Sequence, residues 1–557
     1  MSLKELPENW DLVIIGGGIT GAGVLREATR MGLKALLVEQ KDFAWGTSSR
    51  SSKLVHGGLR YLKEGKFKLT KIAVEEREYL LKDAPGLVES LGFLLPVYED
   101  QSPGKRTLKV GLSLYDVMAR ERQHEFFDRD AFLQRIPFVK QEGLAGGFFY
   151  LDAQVDDSRL VLRLIDESMA DGALALNYTS VTELLRNDSG RVTGVLIKDT
   201  ETRETRALSS LAVVNATGCW AEKLHPSPEP RRHLRPLRGS HLVFPADVVP
   251  ISHGFGFMHP VDNRSVFVVP WEGAVLVGTT DLDHTEELVK EPTITEAEVK
   301  YLMQGLEAIF PSLNIKLEDC IAAFAGVRPV LSEDDRPPSE ESREHVVWVD
   351  QGLVTVTGGK LTTFRRLAWD ALKAAKPFLP EVQLPDRKDS IFSKPPDHLD
   401  ADNALTEQGW RRLYGRYGAA ADTIVKRAAP EDLSEIPGTR TIWAELPFVA
   451  RGEGVRHLDD LLLRRVRIGL LTRRGGKAYL KRIRKLCRDA LPWDKRRWKK
   501  EIKDYLTLWN QSHALPVQRA GALAERKFFF RALATFFKFL VRPARTNKQG
   551  SKINPAG

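Results

Sequence analysis

Apolar residues fall in short runs along this chain. Residues 11–15 form one nearly unbroken run and residues 34–39 a second, with a helical pattern over 22–31 between them that Gly32 ends. Runs of that length suit strands buried on both faces, so the three segments predict a β-α-β unit of about thirty residues. Further runs at 191–197, 211–215, 241–244 and 353–357 predict strands, and 267–277 predicts a hairpin turning at Glu272-Gly273. After about residue 385 helix formers and Lys/Arg take over, with a Pro- and Asp-rich linker at 391–402 and helices over 403–518. No internal repeat and no apolar stretch of 18 residues occurs, so no spanning helix is predicted.

Composition changes this picture in two ways. With 557 residues, 42% hydrophobic and 28% charged, the chain is of ordinary globular type and long enough for several domains. Its three cysteines, Cys219, Cys320 and Cys487, are too dispersed for a C-x-x-C metal or redox motif or a disulfide framework, which points to a reducing compartment and to no metal site. The first ten residues lack a signal-peptide pattern. Charge is lopsided: residues 464–557 carry 26 Lys and Arg against 5 Asp and Glu, while the preceding residues are net acidic. A basic C-terminal part suggests either solvated helix faces or an anionic partner, and without a zinc-finger or RNA-binding signature nucleic acid is not expected. The tail, 519–557, sharpens the lipid reading. Over 526–542, Lys527, Arg531, Lys538 and Arg542 share one helical face, and Phe529, Leu533, Phe536, Phe537 and Leu540 populate the other. That pattern predicts a basic amphipathic helix lying on an anionic membrane surface, unless the aromatic stripe docks on the protein's own core.

Candidate chemistry begins at Gly16, Gly18 and Gly21, between the first strand and helix. The spacing supplies a tight turn, close backbone approach to a pyrophosphate and close helix packing, while Glu39 at the end of the second strand suits a ribose diol. The segment 46–61 follows, dense in hydroxyls, glycines and bases. Beside a dinucleotide, Thr47, Ser48, Ser49, Lys53 and Leu54 offer hydroxyl and backbone donors, and His56, Arg60 and Tyr61 reach toward a substrate.

These residues, with 11–23, resemble the FAD-dependent glycerol-3-phosphate dehydrogenases, glutathione-reductase-like flavoproteins related to the D-amino acid oxidases. Segments 215–220, 238–241, 278–281, 326–329 and 357–363 fit the resemblance, as do 445–454 and 457–471 in the helical region; Cys219 stands where the family more often has proline, and nothing past about residue 519 matches a family element. The resemblance implies an α/β fold: a Rossmann-type FAD-binding domain (about 10–80, 145–235 and 320–385), an inserted antiparallel-sheet substrate domain (about 85–145 and 236–320) and an all-helical C-terminal domain. It implies oxidation of sn-glycerol 3-phosphate to dihydroxyacetone phosphate, with electrons passing to a membrane quinone from a cytoplasmic enzyme held peripherally on the membrane. A soluble oxidase that forms peroxide is the alternative. Arg328 is the candidate for stabilising the developing alkoxide, because arginine stays protonated; His56 is the candidate base, with His241 competing. Arg60, Tyr61 and Lys360 are expected on the phosphate, and Gly218, Gly358, Gly359, Leu361 and Thr362 on the flavin. The oligomeric state is open, a homodimer included.

Overall fold

Two sheets and a helical region make up the computed structural model, which describes residues 2–63, 65–121, 123–226, 233–332, 341, 344–394 and 405–519. The amphipathic segment 526–542 and most of the proposed linker lie outside the described residues.

The first sheet runs His345–Asp350, Leu353–Gly358, Thr205–Asn215, Asn9–Ile15, Ala35–Val38 and Leu174–Leu176 in spatial order. All of these pair parallel except the outermost, His345–Asp350. Register brings Ile15 beside both Asn215 and Val38, so the residues that follow each strand meet at one carboxyl edge. Ligands bind at that edge in open parallel sheets. Both faces are covered, which explains the unbroken apolar run. Leu12 and Ile14 pack under the helices Ile19–Arg30, Asp157–Ala170 and Phe364–Ala375. Val13 and Ile15 pack on the other side, against the hairpin Thr179–Arg186/Val192–Asp199. Each such side chain contributes about 1.5–3 kcal/mol.

The second sheet is built mainly from antiparallel pairs, centred on His233–Pro245, Ala274–Gly278, Ser265–Trp271, Gly254–Met258, Val88–Tyr98 and Leu144–Val155. The anticipated hairpin turns where expected. Glu272 and Gly273 both have positive φ, 51° and 93°, the mirror-image turn that matches strand twist. Glu272 adopts this rarely populated conformation while its carboxylate accepts from Arg412 at 3.0 Å and Arg416 at 3.4 Å. Other strands outrun their apolar runs: 241–244 lies within His233–Pro245, and 211–215 within Thr205–Asn215. Ala322–Ser332 and Leu144–Val155 join this second sheet, although the sequence grouped them with the flavin half.

The helical region packs Trp410, Trp443, Trp498 and Trp509 into a core that it shares with Trp271, Leu276 and Phe324 of the second sheet. Its basic character is only partly a surface property. Arg464 and Arg465 converge on the buried carboxylate of Asp42, and Arg467 on Asp156 and Asp157. Arg159 returns the exchange, bonding Glu453 at 2.7 Å. The three arginines are at most 2% exposed. Counting them toward a solvated cationic face is therefore corrected: they fasten the helical region to the sheet domain. His457 adds a titratable fastening, 3.1 Å from Glu201 and 3.3 Å from Glu501. The Glu501 hydrogen bond outweighs burial and raises its pKa to about 9. The stabilisation this gives is fully present below the unfolded value, about 6.5, and is lost as pH rises through about 9. Melting curves should then show His457→Gln below wild type near pH ~6 and close to it near pH ~10.

Candidate functional site

Gly16 has φ +110°, and a Cβ there would lie 2.6 Å from the Ala216 carbonyl oxygen; a Cβ on Gly21 would lie 1.9 Å from the oxygen of Gly16. Glycine at these positions lets the first helix start against the strand edge. Gly18 caps that helix without a side-chain hydrogen bond, leaving its first turn of amides for an anion. Of these, the Ile19 amide donates to Ser48 Oγ at 2.9 Å, which ties the 46–52 loop to the helix start. Glu39 accepts from the amides of Gly17 and Lys41 at 2.8 and 2.9 Å. Burial pushes its carboxyl up while these two amides oppose the shift.

This edge opens on a cavity of about 1730 Å³. It exceeds the usual small-ligand range of roughly 300–1,000 Å³ and suits a dinucleotide together with a small substrate. Gly16, Gly18, Glu39, Thr47, Ser48, Leu54, Gly218, Gly358, Gly359, Leu361 and Thr362 line one part; His56, Tyr61, Lys360 and Arg328 line another. Lys360 sits over the Tyr61 ring at 3.6 Å. The loop carrying His56 is anchored from behind, because the Gly57 amide donates to Tyr115 Oη at 2.9 Å and to Asp152 at 3.3 Å. Thr362 Oγ1 in turn meets the backbone of His56.

Arg328 crosses from the second sheet, donating to Asp281 and to Thr279 Oγ1, each at 2.9 Å. A Cβ on Gly239 would approach its Nη2 to 2.4 Å, so a small residue beneath the guanidinium lets it lie in place. Arg264, unanticipated from the sequence, lines the same wall with Nη2 3.5 Å from Asp281. Trp45, Arg50 and Trp220 also line the cavity and were equally unforeseen.

Several expected contacts are not made as drawn. His241 is absent from the cavity lining: its Nε2 lies 2.9 Å from Ser52 Oγ and its ring stacks on Phe324. Burial, then Arg328 and Lys53, depress its pKa well below the usual histidine value, so it stays neutral. Lys53 is fully buried, pairing with Asp157 at 2.8 Å and donating to the Ser49 carbonyl at 2.7 Å. Neither Lys53 nor Ser49 lines the cavity; they shape the loop from behind. Gly21 also acts from behind, through packing. The Thr47 hydroxyl is turned to the Val327 carbonyl. The side chain of Arg60 lies outside the described ones. Cys219 lies on the wall with its Sγ 3.6 Å from the Val327 carbonyl, and burial pushes its thiol up to about 12. Among the described residues no cluster of three or more metal-ligating side chains occurs, and no helix is long and apolar enough to cross a membrane.

A glycine turn at the carboxyl edge of a parallel sheet, opening on a cavity whose other end gathers arginine and lysine, defines a dinucleotide-dependent oxidoreductase. Comparison with known proteins narrows the class. The family of FAD dependent oxidoreductases matches residues 11–365, and the C-terminal domain of alpha-glycerophosphate oxidase matches 388–498. An aerobic glycerol-3-phosphate dehydrogenase of Bacillus subtilis is 40% identical over 367 residues, 65% of this chain and 66% of that protein. One from Staphylococcus haemolyticus is 32% identical over 483 residues, 82% of this chain and 86% of that protein. The crystal structure of the glycerol-3-phosphate dehydrogenase from Bacillus halodurans complexed with FAD superposes with a TM-score of 0.70 at 25% identity, covering 90% of this chain and 95% of that one. The L-alpha-glycerophosphate oxidase of Mycoplasma pneumoniae shares the fold, with a TM-score of 0.56 and 18% identity over 70% of this chain and all of that one. The chain belongs to the FAD-dependent glycerol-3-phosphate dehydrogenase family. Its cofactor is FAD, which the uncapped helix start, the glycine edge and the half-buried Glu39 carboxylate fit.

Proposed function

We propose that this protein oxidises sn-glycerol 3-phosphate to dihydroxyacetone phosphate and passes the electrons to a quinone dissolved in the membrane. The observation that carries the reading is one cavity joining the dinucleotide edge to a wall bearing His56, Tyr61, Lys360, Arg264 and Arg328. Bound FAD supplies the acceptor for the hydride that leaves C2. Lys360 and Tyr61 hold the phosphate dianion as a point charge and a hydroxyl, with Arg60 as a third donor. Arg328, oriented by Asp281 and Thr279, faces the C2 oxygen and stabilises the negative charge that grows there. His56 takes the hydroxyl proton. His241, set behind Ser52, holds the Ser52 hydroxyl in place.

Losing a donor at a developing oxyanion costs about 10²–10³-fold in rate. Arg328→Ala should therefore slow flavin reduction by about 10²-fold at saturating glycerol 3-phosphate, measured by anaerobic stopped flow; an unchanged rate removes Arg328 from this role. The acceptor is tested by bleaching the flavin anaerobically with glycerol 3-phosphate and mixing the reduced enzyme separately with oxygen and a ubiquinone analogue. Rapid reoxidation by the quinone alone supports the reading. Rapid reoxidation by oxygen with peroxide release supports the alternative, a glycerol-3-phosphate oxidase.

A further inference from the structure

The peptide joining His56 to Gly57 is held at both of its polar ends. Its carbonyl accepts from Thr362 Oγ1 at 3.3 Å. Its N–H points the other way and donates to Tyr115 Oη at 2.9 Å and to Asp152 Oδ1 at 3.3 Å. Just before it, the antiparallel pairs Leu54 with Gln154 and Val55 with Ala153 fix the chain as far as the residue preceding His56. Gly57 has to be glycine for this, because a Cβ would strike the Tyr115 hydroxyl and Val74. The imidazole of His56 therefore springs from a clamped backbone, and half of the clamp consists of groups to which the reaction assigns no step.

Those groups form a buried polar cluster. Asp152, in the strand Leu144–Val155, is 3% exposed; Tyr115, in the helix Lys105–Ala119, and Arg77, in the helix Phe67–Asp83, are each 1% exposed. Arg77 Nη1 lies 3.2 Å from both Asp152 Oδ1 and Tyr115 Oη, and 3.0 Å from the Leu151 carbonyl. Tyr115 donates to Asp152 Oδ2 at 3.1 Å. Asp152 thus receives the amide, the guanidinium and the phenol, a pattern that suits a carboxylate, which accepts and never donates. Burial pushes its carboxyl up, and Arg77 with the other donors opposes the shift. Burial, then Asp152, push the Tyr115 phenol well above its usual value, so it keeps the proton it donates. Arg77 stays charged and passes no proton on, so the cluster is not an exit path for the substrate's hydrogen. A buried ion pair also adds little stability over an apolar replacement of the same shape. What this one supplies is direction: it faces one peptide of the cavity wall.

We propose that Asp152 and Tyr115 are positioning residues for the reaction: by holding the His56–Gly57 peptide from behind, they aim the imidazole at the C2 hydroxyl of the substrate. The role rests on the reading of His56 as the base. Neither residue carries a local signal, since Tyr115 and Asp152 follow Gly57 by 58 and 95 residues.

The test is anaerobic stopped-flow reduction of the full-length holoenzyme by glycerol 3-phosphate. Tyr115→Phe removes one hydroxyl and Asp152→Asn one charge, each with little change of shape. Misplacing a reacting group by about 1 Å costs about 10²-fold, so each variant should lower the limiting reduction rate by ~10-fold or more, while the substrate concentration giving half that rate stays within about threefold of wild type. Tyr115→Phe, the milder change, decides the matter if Asp152→Asn fails to fold. In a His56→Ala background neither substitution should slow reduction further, because no imidazole is left to aim. A merely structural contribution would lower the rate by the same factor in both backgrounds, and that result overturns the proposal. A readout independent of turnover is hydrogen exchange over residues 54–59, where the Gly57 amide should exchange about tenfold faster or more in Tyr115→Phe; unchanged exchange also overturns it. His56→Ala separates the two readings. If it is slow while Tyr115→Phe and Asp152→Asn reduce flavin at the wild-type rate, the base stands and the clamp alone falls; if His56→Ala itself is as fast as wild type, both fall.

Discussion

Gly21→Ala should emerge from purification without its yellow colour. A single added methyl carbon would sit 1.9 Å from the Gly16 carbonyl oxygen, a backbone atom that cannot step aside as a flexible side chain would. Relief requires the first helix to move off the strand edge, and its leading amides, which would receive a bound pyrophosphate, move with it. The methyl never touches the cofactor. The expected loss is of FAD affinity, by about 10²-fold or more given the ~3 kcal/mol that strain of this kind reaches. Titration of the apoprotein with FAD, followed by flavin fluorescence quenching, measures it. Binding at wild-type affinity would contradict the packing argument.

The second large effect lies outside the cavity. Asp42→Ala should destabilise the whole chain by about 3–5 kcal/mol, because it leaves Arg464 and Arg465 buried beside an empty position. Asn177 loses a partner as well, since it donates to the same carboxylate at 2.9 Å. Burial alone would raise the Asp42 pKa, yet Arg465 and Arg464 outweigh it and hold the carboxyl down at about 2. A depressed carboxylate contributes stability that is fully present above its unfolded value, about 3.8, and is lost as pH falls through about 2. Wild type should therefore show an acid limb in that window that Asp42→Ala lacks, measured as unfolding free energy against pH. Asp42→Asn, which keeps the shape and loses the charge, should also lack that limb while losing less stability than Asp42→Ala.

What could be read in the sequence was whatever is local. Gly16, Gly18, Gly21 and Glu39 sit within one β-α-β unit, so spacing alone carries their meaning, and strand 353–357 announces itself by its apolar run. Arg264 and Asp281 carry no such signal. Asp281 meets Arg264 and Arg328 only because the second sheet pairs segments far apart in sequence, and no local pattern encodes that approach. Lys53 was misjudged for a related reason: a lysine in a hydroxyl-rich loop looks the same whether its ammonium faces a ligand or the buried carboxylate of Asp157, 104 residues away. The arginines at 464–467 are the clearest case. A charge total treats them as surface, whereas Asp42 lies 422 residues before Arg464 and cancels it out of view of any window.

That last separation bears on synthesis. The ribosome delivers Asp42 and Asp156 several hundred residues before Arg464, Arg465 and Arg467, the arginines that neutralise them, whereas Asp157 follows its first counter-ion, Lys53. A nascent chain that has extruded the complete glycine turn still holds two acids, Asp42 and Asp156, whose arginine partners have not emerged, while Asp157 already has Lys53. The cofactor half should thus lack these counter-ions until the last hundred or so residues leave the exit tunnel, and a fragment ending at 390 should be far less stable and hold flavin more weakly than the full chain.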